Sequence, residues 1–466
     1  MSDTLKVVVI GGIAAGMSVA AKAKRENPEA QITVIEKADY ISLGACGLPY
    51  YLGEQFTDKN NMFARTPQQI IDSGIELLLE TEATNIDFNQ QIVTIKDGKT
   101  GITSNLPYDR LMIATGANPI QLAVPGADAP NVYQHTLLHD VESLKANLDQ
   151  YQDIAVIGGG FIGVEVADQL ALLGKKVTIF QGTPTIMGGP FDPEFSQLLQ
   201  NALTEEGIDI RLNQMVAGFE VENGKVTGIV VADATTQTDA TNPPATTTIK
   251  ADAVIVAIGF KPNTAFINDP NLSKMTNGAI KINKFGETSI KNVFSAGDCA
   301  SVPHRLLGDR YIPLATSANK LGRIIGTNIV SDEANFLAYP GSLGSSLIKA
   351  GKYEAGSTGL TETLATVHGN QYGVQYKTTL VNTPNHTNYY PNQEMLTIKL
   401  VYDAQTKILV GAQIFGKDGA ALRLHALSVA IHAGITTDEL GFIDLGYAPP
   451  FTTTWEAINI AANTAK

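Results

Sequence analysis

The sequence predicts an α/β fold with two three-layer units and a smaller α+β unit at the C-terminal end, on three observations. A β-branched run at residues 5–10 leads into a glycine-rich turn and then a helical pattern. The same succession returns at 153–180. Beyond residue 336, strand patterns (MLTIKLVY, KILVGAQIFG) alternate with a helix expected at 420–433.

Size permits this division. The chain has 466 residues, 44% of them hydrophobic, and single cores stop growing at roughly 250–300 residues, so two or three domains are expected. Acidic residues (46) outnumber basic ones (33), giving a net charge of −13. That field repels nucleic acid and forces an anionic substrate to find a local basic patch. The opening MSDTLK runs directly into VVVIGG, too short an apolar stretch for a signal peptide, and no run is long enough to span a bilayer. The expectation is a soluble, cytoplasmic protein without membrane or nucleic-acid partners. Two cysteines, Cys46 and Cys299, are too few for a secreted disulfide framework and suit a reducing compartment.

The first turn is Gly11-Gly12-Ile13-Ala14-Ala15-Gly16, followed by a helix over 17–26 and a strand, QITVIE, that ends on Glu36. Such a turn brings backbone N–H groups and a helix N-terminus against a pyrophosphate, and the acidic residue bonds a ribose 2′-OH. Ile13 occupies the place of the middle glycine. The second turn, Gly158-Gly159-Gly160-Phe161-Ile162-Gly163, is complete, and its helix carries Ile162, Val166 and Leu170 on one face. Gln181 stands where an acidic residue usually follows the second strand. Together the two turns predict a pair of Rossmann-like dinucleotide sites. LMIATGANP (111–119, with Thr115 and Gly116) and VIVAIGFKPN (254–263, with Gly259) read as strands that cross between the halves. A last strand, ending in Ser295-Ala296-Gly297-Asp298, is expected to deliver Gly297 and Asp298 to a helix start at Cys299. The Thr/Ala/Pro-rich stretch 232–248 reads as an exposed hairpin loop.

These motifs, in this order, resemble the pyridine nucleotide-disulfide oxidoreductases, in particular the single-cysteine branch of coenzyme A-disulfide reductases and NADH oxidases. The resemblance spans nearly the whole chain. It implies a discontinuous FAD domain (1–120 and 257–330), an NAD(P)H domain (150–256) and a C-terminal dimerisation domain (336–466). It implies FAD at Gly11, Gly12, Ala15, Gly16, Glu36, Lys37, Thr115, Gly116, Gly297 and Asp298, with Asp298 on the ribityl chain. NADH or NADPH is then held at Gly158, Gly160, Phe161, Ile162, Gly163, Glu165, Gln181 and Gly259.

Cys46 lies in Gly44-Ala45-Cys46-Gly47-Leu48-Pro49-Tyr50-Tyr51. Dithiol members of the superfamily carry a second cysteine five positions on, where this chain has Tyr51. A single sulfur that cycles through a mixed disulfide with a small thiol such as coenzyme A, or through a sulfenic acid, is the expectation, with a helix N-terminus and the flavin favouring its thiolate. Cys299 is expected to be packing. Related oxidases and peroxidases carry a histidine at the position of Ala14, and no histidine here precedes proline as in many disulfide reductases. Coenzyme A-disulfide reductases instead use tyrosines that reach across a homodimer. Tyr447 in YAPPF and Tyr389 or Tyr390 in NYYP stand in matching places. Ser42, Lys22, Arg25 and Arg65 are candidates for binding the substrate, the three basic residues for its phosphates. Asn319, Lys320 and Arg323 resemble a segment packed near the flavin. The expected acceptor is coenzyme A disulfide or a related low-molecular-weight disulfide or persulfide; O₂ is the alternative, and a non-enzymatic flavin scaffold a lesser one. Gln181, with no basic residue through Gly182–Pro190 and with Lys175 and Lys176 ahead of the strand, predicts weak discrimination between NADH and NADPH.

Overall fold

The computed structural model describes residues 4–236 and 245–466. The chain forms two compact units. The first comprises Met1–Gly47, Asp58–Asn118 and Phe260–Ser342, the second Leu48–Thr57, Pro119–Gly259 and Leu343–Lys466.

The first unit is built on a five-stranded parallel sheet in the order Val293–Ser295, Arg110–Ile113, Lys6–Ile10, Gln31–Ile35, Glu76–Leu78. Val7, Val8, Val9 and Ile10 are all buried, as expected of a parallel strand covered on both faces. The helix Ala14–Glu26 packs along a second helix, Ala315–Asn328. Glycine permits the approach: a Cβ at Gly322 or Gly326 would lie 2.8 Å from the carbonyl oxygen of Ala15 or Val19. Strands Thr81–Asp87, Ile92–Asp97 and Thr103–Pro107 add an antiparallel sheet.

One expectation fails in this unit. Asp298 and Cys299 do not start a helix but lie in a turn. Ala300 bridges in parallel to Ile280, with the Ile280 N–H on the Cys299 carbonyl at 2.9 Å and the Ser301 N–H on the Ile280 carbonyl at 2.8 Å. Those pairings hold the backbone extended into the hairpin Val302–His304/Gly308–Arg310, and the helix begins only at Ala315.

In the second unit a parallel sheet runs Asp209–Leu212, Lys176–Gln181, Asp153–Ile157, Ala253–Val256, Val132–Gln134, with the helix Phe161–Leu172 leaving its central strand. Strands Gln214–Glu222, Lys225–Asp233 and Thr246–Lys250 form an antiparallel sheet. The expected loop 232–248 is thus partly strand, and residues 237–244 lie outside the described residues. A five-stranded antiparallel sheet, Ser346–Ala350, Tyr353–Gly359, Leu409–Gly416, Met395–Asp403, Tyr376–Pro384, carries the expected helix, Ala420–Ala433. No helix among the described residues is long and apolar enough to cross a membrane.

Within this unit the Lys399 side chain, 3% exposed, meets Asp192 at 3.1 Å, Glu362 at 2.6 Å and also Glu194. Asp192 further accepts from the backbone N–H of Glu362 (2.9 Å) and Thr363 (3.1 Å) and from Gln413 (2.5 Å). Burial raises the Asp192 carboxyl, but these donors and Lys399 outweigh it and hold the group below the usual range. A buried charge so fully bonded ties the start of the helix Pro193–Glu205 to the C-terminal sheet.

Candidate active site

At the first glycine turn, Gly11 has φ +107°, and a Cβ there would lie 2.1 Å from the Ala114 carbonyl oxygen. A Cβ at Gly16 would lie 1.8 Å from the Gly11 oxygen. Only glycine closes this turn. Glu36 accepts the N–H of Gly12 (2.6 Å) and of Ala38 (2.8 Å); burial still raises its pKa against those bonds. Ala15 faces Gly297, whose added Cβ would sit 3.3 Å from the Ala15 Cβ, so Asp298 is brought to the start of the first helix. The Asp298 carboxyl is raised by burial alone and bonds no group among the described residues, leaving it open to a hydroxyl-bearing ligand. Thr115 Oγ1 donates to the Asn263 carbonyl (2.7 Å) and Gly116 has φ +67°. Lys37 pairs with Glu82 at 2.8 Å.

The second turn repeats the first. Gly158 has φ +106°, its Cβ would lie 2.3 Å from the Ala257 oxygen, and a Cβ at Gly163 would lie 1.9 Å from the Gly158 oxygen. Gln181 takes the part of Glu36: its Oε1 accepts the Gly159 N–H at 2.8 Å, and its Nε2 donates to Thr183 Oγ1 (2.5 Å) and the Thr185 carbonyl (3.4 Å). A Cβ at Gly160 would meet open space, which explains why Ile13 is tolerated at the corresponding place in the first turn. Gly259, φ +108°, accepts the Ile120 N–H at 3.0 Å. Lys175 is spent on the carbonyls of Leu148 and Tyr151, both at 2.8 Å. Glu165, on the helix that opens with Phe161 and Ile162, accepts from Tyr50 Oη at 3.2 Å, and burial pushes its pKa up to about 7.

Both cradles fit a dinucleotide. Their helices, of 13 and 12 residues, have no side-chain cap and no acidic residue in the first turn, so the N-terminal amides and the positive end of each dipole are left for a phosphate.

Ser42 holds a left-handed backbone (φ 56°), fixed by its N–H on the Gly12 carbonyl (2.9 Å) and the Ala64 N–H on its own carbonyl (3.1 Å). This strained residue ties the cysteine segment to the first cradle. Cys46 is exposed, in the single turn Ala45–Gly47 ahead of the helix Leu48–Leu52. That helix has only five residues. Tyr51 is buried. Cys299 is enclosed, with Ser295 Oγ and the Ile113 carbonyl each 3.5 Å from Sγ, and burial raises its thiol. Lys22 pairs with Glu26, while Arg25 and Arg65 are exposed. Asn319 accepts from Ser18 Oγ at 2.9 Å; Lys320 and Arg323 are exposed.

The C-terminal segments bring two of the three candidate tyrosines together. The hydroxyls of Tyr389 and Tyr447 lie 2.8 Å apart, and this bond raises the pKa of Tyr447. Tyr390 instead packs edge-on against the His386 ring at 5.4 Å. Thr387 Oγ1 donates to the Pro449 carbonyl at 3.2 Å. Beside them a cavity of about 540 Å³ is lined by Asn385, His386, Tyr390, Arg423, Phe451 and Glu456, among others.

The model of the pyridine nucleotide-disulphide oxidoreductase family matches residues 5–322, and that of the family's dimerisation domain residues 346–458. The chain belongs to this family. A NADH oxidase of Enterococcus faecalis is 30% identical over 466 residues, 99% of each chain. A NAD(P)H coenzyme A polysulfide/persulfide reductase of Pyrococcus horikoshii is 33% identical over 464 residues, 99% of this chain and 98% of that one. The structure of a NAD-dependent persulfide reductase from A. fulgidus superimposes with a TM-score of 0.90 at 32% identity, covering 98% of this chain and 82% of the other. The pyridine nucleotide-disulphide oxidoreductases use FAD and NAD(P)H, which agrees with two cradles of matching build. In this oxidoreductase the sequence reading missed Tyr50 as the partner of Glu165, and Arg423 between the tyrosine segments. Tyr50 stood in the quoted cysteine motif, four residues past Cys46; nothing local to Arg423 marks it.

Proposed function

We propose that this enzyme reduces coenzyme A disulfide, or a related low-molecular-weight disulfide or persulfide, with NADH or NADPH, through Cys46. The observation that carries the reading is the Tyr389–Tyr447 hydroxyl pair, formed in the two segments whose tyrosines resemble those of coenzyme A-disulfide reductases. FAD is assigned to the first cradle, with Glu36 toward its adenosine ribose and Asp298 toward its ribityl hydroxyls, and the nicotinamide coenzyme to the second, beside Gln181 and Glu165. Bound FAD supplies two-electron transfer from the nicotinamide coenzyme to the sulfur.

The Cys46 thiolate attacks one sulfur of the disulfide, making a mixed disulfide, breaking the substrate S–S bond and releasing one thiolate. Tyr447 donates the proton to that thiolate. Its raised pKa keeps the phenol protonated at neutral pH, and Tyr389 Oη stands ready to donate to the phenolate that remains. Two electrons from the coenzyme then cleave the mixed disulfide, release the second thiol and restore the Cys46 thiolate. One NAD(P)H, one proton and one disulfide give one NAD(P)⁺ and two thiols.

The tyrosines are proposed to serve across a homodimer. Both fall within residues matched by the dimerisation domain, which also exposes Leu422, Val429, Phe442, Phe451 and Trp455. The Enterococcus relative favours a second reading, in which O₂ is the acceptor and Cys46 cycles through sulfenic acid. NAD(P)H consumption under nitrogen with coenzyme A disulfide, then in air without it, separates the two. Tyr447→Phe should lower the disulfide rate on the order of tenfold or more while a dye that takes electrons from the flavin is reduced at the original rate. An unchanged disulfide rate removes the proton-donor role.

A further inference from the structure

Arg423, on the helix Ala420–Ala433, lies between the two tyrosine-bearing loops and bonds to both. Its Nη2 donates to the carbonyl oxygens of Asn385 (2.9 Å) and Phe451 (2.6 Å). Asn385 opens the loop that carries Tyr389, closing its base through two bonds with Glu394: the Asn385 N–H on the Glu394 carbonyl (2.8 Å) and the Glu394 N–H on Asn385 Oδ1 (2.9 Å). Phe451 ends the YAPPF loop that carries Tyr447. Nη1 donates to the Gly419 carbonyl (3.3 Å), and Nε to Glu456 Oε1 (2.5 Å). Glu456 is 7% exposed and uses its other oxygen to accept the Ile458 N–H (2.5 Å), capping the helix Ala457–Asn463. The guanidinium is therefore aimed by a buried carboxylate, and its planar fork is committed to backbone in three separate places.

We infer that Arg423 is a positioning residue that clamps the Tyr389 and Tyr447 loops in the register at which the two hydroxyls meet. The inference rests on the tyrosine role proposed above. Within one protomer both tyrosines are more than 40% exposed, so little packing from their own chain fixes them, and Thr387 to Pro449 is the one further hydrogen bond found between these loops among the described residues. Lysine at 423 keeps the charge for Glu456 but, as a point charge without a fork, cannot span the Asn385 and Phe451 carbonyls from one nitrogen.

Arg423→Lys is the test, read by two measurements on the full-length holoenzyme. The first is backbone hydrogen exchange over 385–394 and 445–452, expected to rise in both loops. The second is turnover with coenzyme A disulfide under nitrogen, expected to fall on the order of tenfold at saturating substrate while dye reduction stays within about twofold. Combined with Tyr447→Phe, Arg423→Lys should add little, because one pathway is already lost. Glu456→Gln, which keeps the helix cap but not the charge, should move both measurements in the same direction by less, and gives a second route if Arg423→Lys folds poorly. Unchanged exchange in both loops overturns the clamp, as does a turnover loss that multiplies in full with that of Tyr447→Phe. Raised exchange together with a silent Tyr447→Phe keeps the clamp and overturns the tyrosine role.

Discussion

We propose that coenzyme choice turns on Gln181. Its amide is already committed, Oε1 to the Gly159 N–H and Nε2 to Thr183 and Thr185. To bond a 2′-phosphate it must give up the Thr183 and Thr185 bonds, each worth about 1 kcal/mol net, so the gain from the phosphate is largely cancelled. Lys175 is held elsewhere. The wild-type enzyme should therefore use NADH and NADPH within about tenfold of each other. Gln181→Glu should keep the Gly159 bond, as Glu36 does with Gly12, while placing a negative charge beside the 2′ position. Against a phosphate of charge about −2 at roughly 6 Å, repulsion is about 1.4 kcal/mol even at the dielectric constant of water, or about tenfold, and more where protein displaces solvent. Measuring kcat/KM for both coenzymes decides the matter. A wild-type ratio beyond about a hundredfold, or a Gln181→Glu ratio equal to the wild type, refutes the reasoning and places 2′ recognition elsewhere.

Iodoacetamide should label Cys46 and spare Cys299 in the native enzyme, since one is exposed and the other buried with a raised thiol pKa; comparable labelling of both by peptide mass would show that Cys299 is not enclosed, and labelling of neither that Cys46 is not an accessible thiol. Glu165 has a folded pKa near 7 against an ordinary value of 4.5, so its stabilising contribution is full below about pH 4.5 and lost as pH rises through 7. Glu165→Gln should therefore raise Tm relative to wild type more at pH 8 than at pH 5, and an equal difference at both would count against a buried, protonatable carboxyl. Asp192→Asn should cost about 3 kcal/mol by leaving Lys399 short of a buried partner; urea unfolding that shows less than about 1 kcal/mol would mean that Glu194 and Glu362 suffice.

Both cradles were legible because their glycines are required by backbone approach alone, at Gly11, Gly16, Gly158 and Gly163. The candidate tyrosines were legible in residue type, but not that Tyr389 meets Tyr447 while Tyr390 packs on His386, since neighbouring residues point in different directions. The turn at Cys299 was misread because a strand followed by Gly-Asp suggests a helix start locally, whereas its partner Ile280 is distant in sequence. Arg423 was invisible for a related reason. It recognises main-chain carbonyls, which every residue offers, so no spacing or side-chain type announces them. Gln181 looked like a missing acid; its amide instead preserves the internal bond that Glu36 makes in the first turn.

The Lys399 cluster bears on how far the parts of this enzyme can be exchanged with those of its relatives. One ammonium is shared by two carboxylates at the start of the helix Pro193–Glu205, Asp192 and Glu194, and a third, Glu362, from the C-terminal region. A chimera that draws the segment around 192–194 from one relative and the C-terminal region from another keeps this ion-pair cluster only if positions 192, 194, 362 and 399 travel together. Modular as the chain looks in sequence, those four positions set where a recombination boundary can fall.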